Sequence, residues 1–318
     1  MFYNSNWEWF WNTYKDSITT SDMTGAVSMF HSFRGAASSV VLNFRANYDI
    51  KTNSMFYDCF NKPVSKIVNL KPNNMIYMFQ QYGATTLPEF ENLNMSGIQA
   101  STYANCAGMF TFCRRLRSIS EDFLKQLYTS ANSAYSTHLY SGFDNCWALD
   151  EIKGVRMPAG SNITSNCLST TFNRCYRVKD VIFATQEDGT PYTANMKSQN
   201  IKLNHYVGYF ANYSDGYGGA ELPESAAIRD AETYATNKNN PDSWTDIPEY
   251  SRYNHTSAVN TINSLPDTSA YLTANGGTNT ITFFPTSGSL TDGGAVETLT
   301  EEEIAVAAAR GWTVAYSF

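Results

Sequence analysis

Charge is scarce in this chain. Its 22 Lys and Arg and 29 Asp and Glu make up 16% of 318 residues, against roughly 25% in ordinary soluble domains. The balance is acidic, with a formal net charge of −7 and a pI near 5.1. A basic nucleic-acid groove is therefore not expected. No stretch approaches the ~18 consecutive apolar residues of a membrane-spanning helix. A basic leader followed by a continuous apolar core is missing from the N-terminus, so no signal peptide is read there. Two origins fit: assembly in a cytoplasm, as virion proteins are made, or excerption from a larger secreted protein.

Catalytic and metal signatures are missing too. The four histidines, His31, His138, His205 and His255, lie far apart and form no metal-binding spacing. There is no Cys-x-x-Cys pair for zinc. A Gly-x-Ser-x-Gly elbow and a Gly-Lys-Ser/Thr phosphate loop are absent. Asp215 with Gly216, Gly218 and Gly219 supplies one carboxylate, too few for a calcium loop. Neither an enzyme nor a bound cofactor or metal is expected.

What the chain does have is a repeat. Phe110, Cys113, Leu116 and Ile119 are spaced by three, and so are Phe143, Cys146, Leu149 and Ile152. Phe172, Cys175, Val178 and Val181 follow the same skeleton. Looser copies start at Phe30, Phe56 with Cys59, and Phe79. Four copies open with Met-Phe, and the steps between phenylalanines are 26, 23, 31, 33 and 29 residues. Such a period predicts stacked units, none of which can bury its apolar face alone. Phe and Cys are expected inside, and Leu and Ile are expected to lead into a short strand paired with the next unit.

This skeleton resembles the BspA-like leucine-rich repeats of bacterial surface proteins and phage structural proteins. The resemblance covers residues 28–183 and resumes at the C-terminus. There Thr300-Glu301-Glu302-Glu303 and Ala309-Arg310-Gly311-Trp312 are similar to the Leu-Thr-x-Glu-Glu … Lys-Gly-Trp ending of such arrays, especially in phage tail-associated proteins; Arg310 stands where Lys is usual. It implies an α+β solenoid whose short strands form a curved sheet. On this reading, residues 1–27 are an aromatic cap and 28–183 an array of about six units. Residues 184–255 form an irregular aromatic-rich insertion, and 256–318 a final repeat with a helix-strand cap.

The register also governs the cysteines. Cys59, Cys113, Cys146 and Cys175 share one repeat position, which predicts a ladder of small buried free thiols, with disulfides or metal as the alternative. Cys106 and Cys167 are expected to face the core as well. In the run Arg114-Arg115-Leu116-Arg117, the spacing places Leu116 inward and all three arginines in solvent. A helix is predicted at 121–128, capped by Ser120, and another at 300–310. The latter carries a Thr300–Glu303 capping box, a Leu299–Ile304 staple and Gly311 at C′.

Binding residues are sought among exposed aromatics. The insertion offers Tyr206, Tyr209, Tyr213, Tyr217, Trp244, Tyr250 and Tyr253, and the N-terminus offers Trp7, Trp9 and Trp11. Tyr and Trp give rigid contact area with a polar tip. The bland reading of both clusters is packing over the repeat flank or over its open first unit. Together with the resemblance, they lead to an expected recognition protein of a phage virion, tail-associated. Its partner would be a host-surface glycan or protein, or a neighbouring tail protein. A bacterial cell-surface adhesin and a virion assembly subunit without a ligand are the other two readings.

Overall fold

The computed structural model describes residues 7–14, 25–33, 35, 38–59, 61–99, 106–130, 140–146, 149–157, 162–164, 166–173, 175, 178, 180–203, 255–283 and 299–316. The structural statements below concern these residues.

Each of the six repeat phenylalanines sits in a tight turn. Phe30, Phe56, Phe79, Phe110, Phe143 and Phe172 are all buried. Their rings lie face over face along one line. Successive centroids are 5.5, 5.2, 5.8, 5.7 and 5.9 Å apart, and no pair of planes departs from parallel by more than 9°. The connectors differ in length by up to ten residues, yet the stack does not. Length variation is absorbed elsewhere, as expected when each unit can bury its ring only against its neighbours.

The turns are joined by backbone hydrogen bonds. The N–H groups of Phe30, Phe56 and Phe79 donate to the carbonyls of Met55, Met78 and Met109 in the following unit. Phe110 and Phe143 donate likewise to Gly142 and Thr171. Bonds from the residues two before and two after the phenylalanine flank this central rung. Ser54 donates to Ile76 and Asp58 to Gln80, for example, and Gly108 donates to Tyr140 and Phe112 to Asp144. The flanking donors have positive φ, including Ser28, Ser32, Ser54, Asp58, Tyr77, Gln81, Gly108 and Phe112. A left-handed residue turns its N–H along the stack axis, while the turn itself closes by bonds such as Phe33 N–H to the Phe30 carbonyl. Positive φ costs a non-glycine residue about 1–2 kcal/mol. The inter-unit bonds that these N–H groups make offset that cost.

The strands depart from the expected architecture. β1 (Val41–Asn43), β2 (Asp49–Lys51), β3 (Lys66–Val68), β4 (Lys71–Asn74) and β5 (Glu89–Glu91) are followed by β6 (Glu151–Val155) and β7 (Asp180–Phe183), then by β8 (Asn200–Leu203), β9 (Asn279–Phe283) and β10 (Trp312–Tyr316). All their pairings are parallel. They lie in four separate small sheets, ordered β1-β3-β5, β2-β4, β6-β7 and β10-β9-β8. The curved sheet of a leucine-rich repeat solenoid is thus overturned. Three causes are visible. An apolar residue at every third position buries only the central residue of β1, β2 and β3, too little alternation to extend a strand. Asn69 and Asn92, directly after β3 and β5, take positive φ and end them. Beyond β5, only a Thr86–Ser118 bridge forms before the chain enters a helix.

That helix is α3 (Glu121–Ser130); α1 (Trp7–Tyr14) and α2 (Ser96–Gln99) precede it. Ser120 Oγ accepts from Phe123 N–H at 3.0 Å, and Phe123, Leu124 and Leu127 are buried. The stretch expected to be irregular contributes β8, which pairs with β9 across a long sequence gap. α4 (His255–Ser264), α5 (Ser269–Asn275) and α6 (Glu301–Ala309) complete the described helices. α6 carries the Thr300–Glu303 capping box, and Gly311 follows at φ 82°. Trp312 is buried and donates through Nε1 to the Pro266 carbonyl at 2.8 Å. Arg114 is a second correction. It is buried, at 4% exposure, with its guanidinium 5.5 Å from the Phe112 ring centre. Its N–H donates to the Phe112 carbonyl at 2.8 Å, and this tight turn brings the side chain back against the Phe112 ring.

Candidate recognition surface and edge-strand cleft

The expected binding residues are distributed unevenly. Tyr206, Tyr209, Tyr213, Tyr217, Trp244, Tyr250 and Tyr253 lie outside the described residues. Trp7, Trp9 and Trp11 belong to α1. The Trp9 side chain is 60% exposed; those of Trp7 and Trp11 lie outside the description. Phe56, Phe110, Phe143 and Phe172 form part of the stack. Cys59, Cys113, Cys146 and Cys175 run beside it as buried free thiols. Cys106 and Cys167 are buried free thiols too. Burial pushes the Cys167 thiol up to about 12, and drives those of Cys106, Cys146 and Cys175 upward for the same reason. Such thiols are poor nucleophiles and poor metal ligands. Among the described residues, no three metal-ligating side chains come together.

One surface emerges that the repeat spacing did not single out. His31 and Tyr57 follow their phenylalanines directly, and their rings meet edge to face at 4.7 Å. Tyr77 comes next along the turns. Burial, with Asp58 and then Tyr77 nearby, raises the Tyr57 hydroxyl above its ordinary value. Tyr77 is 44% exposed and Tyr140, further along, is 51% exposed. The Tyr77 ring lies so close to Gly108 that a Cβ there would come within 2.5 Å of it. His31, Tyr57 and Tyr77 therefore form an aromatic row on the outer face of the turns, and Tyr140 stands exposed two units beyond Tyr77. A partial signal existed in the sequence: His31 and Tyr57 stand one residue past a repeat phenylalanine, off the three-residue spacing, whereas Phe33 and Tyr82, on that spacing, are buried.

The second feature is a cleft of about 610 Å³ between β5 and the start of α3. Its apolar part comes from Leu87, Phe90, Leu93, Ile119 and Phe123, with the Phe90 and Phe123 ring centres 5.1 Å apart. Its polar part includes Glu89, Asp122, Asn92 and Gln126, and no Lys, Arg or His lines it. Across the sheet, Lys66 is held 3.1 Å from Glu89 and pairs also with Glu91; hydrogen bonds to Glu91 and Glu89 raise the Lys66 ammonium above its ordinary value. The cleft's hydroxyls come from Thr86, Ser118 and Ser120, and no thiol or imidazole lines it. No helix among the described residues is long and apolar enough to cross a membrane. No protein-family model, curated protein or solved structure matches the chain.

Proposed function

We propose that the chain is a non-enzymatic recognition protein, tail-associated in a phage virion, that contacts a glycan or protein of a bacterial surface. The observation that carries this reading is the aromatic row of His31, Tyr57 and Tyr77 along the turn face, with exposed Tyr140 further along it. Exposed Tyr side chains on a rigid backbone give contact area at little entropic cost. The frame beneath them is rigid because each turn is bonded to the next. Charge is scarce in the chain as a whole, at 16% of residues, which suits an uncharged partner such as a sugar. The virion setting rests on the resemblance of residues 300–314 to tail-associated endings, and it does not depend on a continuous curved sheet.

The test is binding of the intact chain to bacterial cells and to an array of bacterial surface glycans. A variant with Tyr57, Tyr77 and Tyr140 changed to Ser is compared with one in which Tyr209, Tyr213 and Tyr217 are changed to Ser. Loss of binding in the first variant, with unchanged circular dichroism, supports the turn face. Loss only in the second moves the contact to the aromatic tract at 206–217. Absence of binding by the parent chain to any cell or glycan overturns the proposal.

A further inference from the structure

We propose that the open edge of β5 takes up an extended basic peptide as a fourth parallel strand of the β1-β3-β5 sheet, seated in the cleft beside α3. This site is separate from the aromatic row and does not depend on it.

The backbone geometry comes first. Glu89 N–H donates to the Ser65 carbonyl at 2.9 Å, and Asn69 N–H donates to the Glu91 carbonyl at 2.9 Å. Glu89 and Glu91 therefore turn their peptide groups toward β3. In a parallel ladder, alternate residues bond to opposite neighbours, so Phe90 presents its N–H and carbonyl to the other side. That side is where the next unit begins to pair. Arg117 N–H reaches the Thr85 carbonyl at 3.0 Å, and Ser118 bridges Thr86 in parallel. Then Ser120 caps α3 and the chain leaves the sheet. The cleft fills the place that the missing strand would take.

The side chains specify the occupant. Val41, Lys66 and Glu89 stand in register across β1, β3 and β5. Lys66 answers two carboxylates of the strand beside it. A strand added beyond β5 meets Glu89 on one side and Asp122 at the mouth of α3, with no cation lining the cleft. Basic side chains at alternate positions match that field, and apolar ones between them meet Phe90, Leu93, Ile119 and Phe123. An asparagine ladder runs the same way: Asn69 donates to Asn43 at 2.9 Å and Asn92 donates to Asn69 at 3.1 Å. Asn92 brings it to the cleft wall. Main-chain bonds supply affinity in strand addition, and alternate pockets supply selectivity.

The test is calorimetric titration of the full chain with three synthetic octapeptides and with maltopentaose. One peptide alternates Val and Lys, one alternates Val and Glu, and the third is the Val-Lys peptide with alternate amide nitrogens methylated. The Val-Lys peptide is expected to bind, and the other two to bind about tenfold or more weakly. Glu89→Lys and Asp122→Lys should each weaken Val-Lys binding by about tenfold. Asp122→Lys keeps the test sharp if Glu89→Lys disturbs the Lys66 pair, and unchanged circular dichroism checks both. No binding by the Val-Lys peptide overturns the proposal, as does equal binding of the three peptides. Binding untouched by both substitutions also overturns it. So does maltopentaose taking the cleft when the basic peptide does not.

Discussion

The thiol of Cys113 donates to the main-chain carbonyl of Phe79, one unit earlier, at 2.7 Å. That carbonyl also accepts the N–H of Tyr82 at 3.0 Å, closing its own turn. The arrangement recurs. Cys59 donates to Phe30, Cys146 to Phe110 and Cys175 to Phe143, and each of these carbonyls also takes the N–H three residues on. Cysteine at this position is thus more than a small apolar filler. It supplies the weak second donor that a buried carbonyl can use, without the volume or desolvation cost of a stronger polar group. The copy that carries Tyr82 instead of Cys lacks the bond, and the buried Tyr82 hydroxyl meets no partner among the described residues.

Cys146 offers the clearest test of that bond. Cys146→Ser keeps a donor toward the Phe110 carbonyl, and Cys146→Ala removes it. Urea unfolding is expected to show the Ser variant more stable than the Ala variant by about 1 kcal/mol. The reverse order would mean that the site wants only an apolar atom.

Phe110 is stacked on both sides, against Phe79 at 5.8 Å and Phe143 at 5.7 Å. Phe110→Ala should cost about 3–5 kcal/mol, because the rigid turns cannot close over the void. Phe110→Leu refills part of the volume and should cost less than half as much by the same measurement. Equal costs for the two would show that ring stacking, rather than volume, sets the value.

Gly108 takes φ +59°, and a Cβ there would meet the Tyr77 ring at 2.5 Å. Gly189 takes φ +81° with nothing within 4 Å. Alanine at either position carries backbone strain of about 1–2 kcal/mol. Only Gly108→Ala must also displace Tyr77, so it should lose more stability than Gly189→Ala and alter the aromatic row. Matching losses in chemical denaturation would deny the ring contact any cost.

Alkali should unfold the chain through its thiols. Cys167 rises from 9.0 to about 12 in the fold by burial, so the folded state holds its proton where the unfolded state has released it. Stability from this group is complete below about pH 9 and falls as pH climbs toward 12, by about 1.4 kcal/mol per pH unit. Buried Cys106, Cys146 and Cys175 act in the same direction. Stability measured at pH 7, 9, 10 and 11 should fall more steeply for the parent than for Cys167→Ala. Parallel curves would show that the thiol is equally titratable in both states.

Much of the frame was legible because it is set by local spacing. Phe, Cys and Leu three residues apart can enter a common core only if every unit turns alike, and Phe110, Cys113 and Leu116 do so, all fully buried. The Ser120 cap and the Thr300–Glu303 box are local chemistry, readable from a few residues. The sites were less legible. Trp9 could be named from composition, but the outward setting of Tyr57, Tyr77 and Tyr140 depends on left-handed turns at residues such as Tyr77, Gln81 and Phe112, whose types do not announce them.

The sequence by itself therefore determined the number of turns, their buried ladder of rings and thiols, and the helices that carry their own caps. Tertiary structure decided what the strands do. Asn69 and Asn92 break them by adopting positive φ, and α3 draws the chain away after Ser118, so the sheet stops at β5 and leaves a cleft. Arg114 shows the same limit from the other side. Its type and spacing both point to solvent, yet it folds back against the Phe112 ring and is buried. Periodicity fixes which residues need burial. The direction a backbone takes at each turn depends on bonds to a neighbour some 30 residues away, and spacing along the chain cannot express that.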